Sequence, residues 1–160
     1  MRKKVSYKRK REGRTDYRKR LIFLKSGVPR LVIRKSNKYL TVQLVESAEA
    51  RDKIILGITS QILKKHGWNF SFKNIPAAYL TGFILAKKAK LSKTIIVDFG
   101  RHPSTKGSKI YAVIKGCIDG GLKVKVGEGI LPEEKKLFGE KTKQPDKINQ
   151  KINEIKEKIK

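Results

Sequence analysis

The chain has 160 residues, enough for one compact domain with tails, and carries 40 Lys and Arg against 14 Asp and Glu, a formal net charge of +26. Such self-repulsion calls for a polyanion, and the dense phosphates of nucleic acid are the first choice, although an anionic membrane surface attracts the same charge. No stretch approaches the roughly 20 apolar residues of a membrane span, the basic start MRKKVSYKRKREGR has no apolar region after it as a secretory signal requires, and the single cysteine, Cys117, excludes an internal disulfide and fits a reducing compartment.

Residues 1–20 form the first zone. Eleven of them are Lys or Arg, and almost nothing before Gly13 can be buried. Alone in water this arm is expected to be disordered, with at most a fraying helix over residues 15–24. Thr15 or Asp16 is placed to cap that helix, and Gly27 to end it.

Residues 21–131 read as a folded core. Leu31 and Ile33 share one face of a first strand, with Val32 spoiling the alternation. In a second strand Tyr39, Thr41 and Gln43 alternate with Leu40, Val42 and Leu44, after a turn built on Ser36 and Asn37. KIILGITS at 53–60 reads as a third strand because of its β-branched residues and Gly57. Residues 60–66 make a short helix closed by Gly67.

NIPAAYLTGFILAKKAK is the clearest helix, with Asn74 as cap and Pro76 in the first turn. Ala78, Leu80, Thr81, Leu85 and Ala89 form its packed face, while Lys87, Lys88 and Lys90 crowd its C-terminal end. KTIIVDFG reads as a buried strand, RHPSTKG as a polar loop, and SKIYAVIKGCIDGG as a second helix with Ile110, Val113, Ile114, Cys117 and Ile118 inward. LKVKVG is a candidate edge strand. The strand–helix–strand–helix order predicts a single small α/β domain, and the early hairpin makes its sheet mixed, with helices on one face. In the third zone, residues 132–160, Lys, Glu and Gln alternate without a core pattern until Ile148, Ile152, Ile155 and Ile159 draw a narrow stripe. That stripe predicts a short C-terminal helix docked on the domain or on a neighbour, and otherwise a frayed tail.

Catalytic chemistry finds little support. Asp98 and His102, near Ser104, Thr105 and Ser108, are the one combination that suggests a hydrolase, but four residue types in one loop are common by chance. His66 ends a helix, where a structural role is ordinary, and Cys117 sits within a helical pattern as a small core residue. Cysteine pairs, HExxH spacing and a phosphate-loop GKS or GKT are all missing, so no cofactor, metal or small-molecule substrate is expected.

Nucleic-acid chemistry fits better. In the arm, Lys8, Arg9, Lys10, Arg11, Arg14, Arg18 and Arg20 supply phosphate contacts. Tyr7 and Tyr17 offer rings for stacking on an unpaired base, or Tyr17 simply ties the arm to the domain. Arg34, Lys35, Ser36, Asn37, Lys38 and Tyr39 gather donors in one turn, whose bland reading is a solvated hairpin. Arg101, His102, Ser104, Thr105, Lys106, Ser108 and Lys109 form a second polar loop, ahead of a helix start that suits phosphates. Composition does not choose RNA over DNA.

A longer resemblance does. YKRKREGRTDYRKRLIFLKSGVPRLVIRKSNKYLTVQLV, HGW at 66–68, NIPAAYLTGFILAKKA at 74–89, VDFG at 97–100 and PSTKGSKIYAVIKGCIDGGL at 103–122 together resemble the archaeal and eukaryotic type of large ribosomal subunit protein eighteen, in that family's order and over residues 5–131. The resemblance implies an architectural, non-enzymatic protein of the cytoplasmic large subunit. It would bind 5S ribosomal RNA in the central protuberance, touch large-subunit ribosomal RNA through its arm, and adjoin neighbouring large-subunit proteins, with no membrane partner. It puts RNA contacts on the arm at 7–20, on the hairpin at 30–39, which adds Arg30, and on the loop at 101–109. The short Lys-rich C-terminal region departs from the longer or more acidic ends frequent in the family, so no contact is carried over there. A free RNA-binding or assembly factor with the same fold is the alternative, and a hydrolase the remote one.

Overall fold

The computed structural model describes residues 5–48, 51–89, 91–127, 129–139, 142 and 144–159. The first four residues of the expected arm, and Lys90, lie outside the described residues. Ahead of the helix expected at residues 15–24, the arm forms one further helical turn, α1 (Lys8–Arg11), with no buried residue, in a stretch expected to be disordered alone in water. Helix α2 (Tyr17–Lys25) follows, and the Asp16 carboxylate caps it by accepting from the Arg18 and Lys19 amides at 3.0 and 3.2 Å. Gly27, at φ 61°, ends it in the left-handed region.

Three antiparallel strands come next, β1 (Arg30–Lys35), β2 (Leu40–Ala48) and β3 (Arg51–Thr59), and β4 (Ile96–Asp98) joins β1 in parallel. The sheet order β3-β2-β1-β4 is mixed, as expected. The period-two alternation works as read: Leu31, Ile33, Leu40, Val42 and Leu44 are buried on one face. Val32 is no exception, since it lies half-buried on the opposite face in register with Gln43 and Asp98. A register shift between Leu44 and Val45 lets both be buried.

A 3-10 helix (Ser60–His66) closed by left-handed Gly67 leads to α3 (Ile75–Ala89), which Asn74 caps by accepting from the Ala77 amide at 2.8 Å. One packed face was expected for α3, yet every residue from Pro76 to Ala86 is buried. The helix is covered by the sheet, by α4 (Lys109–Asp119) and by the C-terminal helix α6 (Pro145–Ile159), so only its last turn, with exposed Lys88, reaches solvent. Glycines make the α3–α4 contact close. A Cβ at Gly82 would strike the Val113 carbonyl, and one at Gly116 the Tyr79 carbonyl. Cys117, fully buried here, donates to the Gly82 carbonyl at 3.4 Å, and burial pushes its thiol up to about 12.

Two expectations change. LKVKVG is not a strand: one parallel bridge links Ile95 to Val124, and the chain then leaves the sheet. The segment after Pro132 has more core than its pattern suggests. Leu137, at the end of α5 (Glu134–Leu137), is buried, and Phe138 packs beside it. Two apolar residues are too few to draw a periodicity. The C-terminal stripe docks on the domain, with Ile148, Ile152 and Ile155 in the common core and Lys156 Nζ 4.7 Å from the Tyr79 ring centre.

Because α1 buries nothing, deletion of residues 1–12 is expected to leave one cooperative thermal transition with a midpoint close to that of the full chain. Loss of cooperativity in that variant would place the arm inside the folding unit.

Candidate nucleic-acid interface

The base of the arm, the start of β1 and the loop after β4 enclose a cleft of about 420 Å³. Arg9, Arg14, Lys19, Arg20, Arg34 and Arg101 line it. The carboxylates nearby are already committed. Asp16 caps α2. Asp52 accepts from Arg20 at 3.0 Å, from Arg30 at 2.6 Å and from the Ser47 hydroxyl at 2.6 Å. Asp98 accepts from Arg34 at 3.1 Å and from the Gly100 amide at 2.8 Å, and lies 3.9 Å from the Arg30 guanidinium. These acids hold arginines in place and leave the groove with an excess of positive charge, the condition for binding a polyanion.

The arm is the most open part. Lys8, Arg9, Lys10, Arg11, Arg14 and Arg18 are exposed, and Tyr7 is 75% exposed while its ring lies 5.4 Å from that of half-buried Tyr17. Arg9 Nε donates to Thr15 Oγ1 at 2.9 Å, which folds the turn back on itself. Lys19 joins this surface although the sequence reading passed over it. It stands in the same basic run, so its signal was there.

The hairpin tip presents Lys35, Ser36, Asn37 and Lys38 to solvent. The Ser36 hydroxyl serves the turn, accepting from the Tyr39 amide and donating to its carbonyl, both at 3.0 Å. Tyr39 leans inward, with its ring 6.0 Å from Phe72. Arg30 is set apart from the other candidates. At 4% exposure it is clamped by Asp52 and by Ser47 Oγ at 2.9 Å, so its place is that of an anchor beneath the groove. Arg34 remains 44% exposed despite donating to the Asp98 carbonyl at 2.8 Å.

In the loop, Arg101, Thr105 and Lys106 are exposed, while Ser104 and the Tyr111 hydroxyl share a hydrogen bond. His102, Thr105, Ser108 and Lys109 meet the hairpin tip across a second cleft. Asp98 is occupied by arginines and Ser104 by Tyr111, so among the described residues no hydroxyl–imidazole–carboxylate relay forms, and no group of three or more metal-ligating side chains gathers.

The His102 imidazole is held below its ordinary value, first by burial and then by Lys35 and Arg34. A phosphate brought to Lys35 counters that field and favours the imidazolium. RNA binding is therefore expected to raise the His102 pKa and take up protons, with affinity rising as pH falls through the interval between the free and bound values. Proton NMR titration of the His102 ring, with and without RNA, checks this, and an unchanged midpoint would disprove it.

An α/β platform whose arm and two loops carry more cations than the nearby acids can pair defines a basic, polyanion-binding protein. The comparisons agree on its kind: the family described as "Ribosomal large subunit proteins 60S L5, and 50S L18" matches residues 1–95. The chain is 47% identical over 139 residues to "Large ribosomal subunit protein uL18" of Korarchaeum cryptofilum (strain OPF8), covering 86% of this chain and 71% of that one. It is 42% identical over 138 residues to the protein of the same name from Methanoregula boonei (strain DSM 21154 / JCM 14090 / 6A8), covering 85% and 79%. With the Thermofilum pendens (strain Hrk 5) protein it shares 45% over 139 residues, covering 86% and 71%. The chain belongs to the uL18 family of large ribosomal subunit proteins, in its archaeal form. It is a ribosomal structural protein and not an enzyme.

Proposed function

We propose that this chain binds 5S ribosomal RNA and helps anchor it in the central protuberance of the large subunit, in the cytoplasm. Residues 1–20 serve as the arm toward large-subunit ribosomal RNA, residues 21–131 as the core that holds 5S RNA, and residues 132–160 as a C-terminal segment whose helix packs on that core. The observation that carries the reading is the cation-lined groove whose adjacent acids are all engaged internally, in a chain of this family. The mechanism is architectural. Lys and Arg neutralise closely packed phosphates, release their counterions, and fix the RNA against a rigid sheet.

Titration of 5S RNA at several salt concentrations tests it. The logarithm of affinity is expected to fall linearly with the logarithm of salt, with a slope of roughly 0.9 for each duplex phosphate neutralised. At fixed salt, 5S RNA should be preferred over an unrelated folded RNA and over duplex DNA. Equal affinity for all three would overturn the specificity, and a flat salt dependence would overturn the electrostatic mechanism.

A further inference from the structure

Helices α3 and α4 run parallel. Gly116 of α4 meets Tyr79 of α3, and Gly120, one turn on, meets Ala86, so the contacts advance together along both helices. Their N-termini therefore open at the same end of the domain. There the second cleft, about 620 Å³, is lined by Lys35 from the hairpin, Lys73 from just before α3, and Lys109 at the start of α4. Among the described residues, none of these three lysines has a carboxylate within ion-pair distance. Three cations facing one cavity beside two positive helix ends are unfavourable unless an anion joins them. The ammonium of Lys109 registers that cost: it is held below its ordinary value, first by burial and then by Lys73 and Lys35.

A second observation comes from the start of α4. Asn74 and Asp16 cap their own helices through the side chain, whereas Ser108, at the corresponding position of α4, does not. Ser108 lines the cleft, and its hydroxyl is closed to bulk solvent and has no hydrogen-bond partner. The first amides of α4 are thus left without a side-chain acceptor, and a buried donor stands idle beside them. An oxyanion would satisfy both.

We propose that the cleft between the starts of α3 and α4 seats one phosphate group, held by Lys35, Lys73, Lys109, the Ser108 hydroxyl and the first amides of α4. That the phosphate belongs to RNA rests on the RNA-binding reading above. The seat itself does not, since inorganic phosphate offers the same oxygens and charge. Lys73 is the residue this adds. It lies outside the basic runs, in SFKNIP, and only the fold brings it to Lys109.

The experiment follows amide resonances of the full chain as inorganic phosphate is added, against chloride at matched ionic strength. Saturable shifts are expected at Ser108, Lys109 and Ile110, with Ile152 unmoved. Lys73→Met and Ser108→Ala should each weaken the phosphate effect about tenfold, equivalent to one charge-assisted hydrogen bond. With 5S RNA, Lys73→Met should lose about tenfold in affinity and roughly one phosphate's worth of salt slope, whereas Lys64→Met should not. RNA that moves the same amides and blocks the phosphate response makes RNA the source. RNA that leaves them unmoved, while phosphate still saturates, makes free phosphate the source. Shifts that chloride reproduces, or no saturation with either probe, overturn the seat. Wild-type protein that fails to bind 5S RNA sinks the functional reading instead and leaves the phosphate titration valid.

Discussion

Alanine at Arg34, Lys35 and Lys38 together is expected to lower affinity for 5S RNA on the order of 100-fold, while alanine at Lys135, Lys147 and Lys158 costs less than about fivefold. Both triples remove three positive charges, so a purely long-range attraction would penalise them alike, apart from local screening. The hairpin triple should lose more because its side chains project from a turn locked by the Ser36–Tyr39 hydrogen bonds, at a defined position beside the groove. Directed contacts to phosphate oxygens add about 1 kcal/mol each to the general field, and three of them make the factor. The control lysines are exposed on α5 and α6. Arg34 also pairs with Asp98, so a Lys35→Ala, Lys38→Ala double variant belongs beside the triple, because it removes no ion pair among the described residues. Binding curves at matched salt, with a melt for each protein, decide the matter. Equal losses from two folded triples would put the RNA surface elsewhere.

The largest effect on stability is expected from Gly116→Ala. The added methyl would overlap the Tyr79 carbonyl, backbone that cannot swing aside, so α3 and α4 must separate or shift. Overpacking of this kind costs about 3 kcal/mol, and for a chain of this size that lowers the melting midpoint by roughly 6–12 °C. Gly57→Ala makes the comparison. Its methyl is tight only against the Gln43 side chain, at 3.3 Å, with Ile54 at an ordinary 3.8 Å, and Gln43 can adjust, so a loss within about 1 kcal/mol is expected. A Gly116→Ala melt indistinguishable from that of Gly57→Ala would mean the helices have slack. The consequence reaches function because α4 carries Ser108 and Lys109 to the second cleft. Separating the helices should therefore weaken RNA binding as well.

Features that depend on a few consecutive residues were legible in the chain itself. The β1–β2 hairpin followed from alternation, imperfect only at Val32, with buried Leu31 and Ile33 facing buried Val42 and Leu44. Asp16 and Asn74 announced their helices because a short acceptor side chain suits the free amides of the next turn, and Gly27 and Gly67 ended theirs because a left-handed residue favours glycine. The excess of cations pointed to a polyanion without any fold, since charge acts at a distance whatever the chain's path. A resemblance spread along the chain, and not any local physical pattern, pointed to the ribosome.

What tertiary structure alone decided concerns partners far apart in the chain. Arg30 reads as one more surface cation until Asp52 and Asp98 arrive from β3 and the end of β4 to enclose it. Periodicity reports which face of its own element a residue occupies. It does not report how many other elements will cover that element, which is why α3, read with one packed face, is buried on every side from Pro76 to Ala86. Likewise LKVKVG has the composition of a strand but keeps only the bridge at Val124, because pairing requires an adjacent backbone as well as propensity. Lys73 and Lys109 face one cleft only because α3 and α4 run parallel with glycines at their contact, and no pattern short of the folded backbone contains that fact.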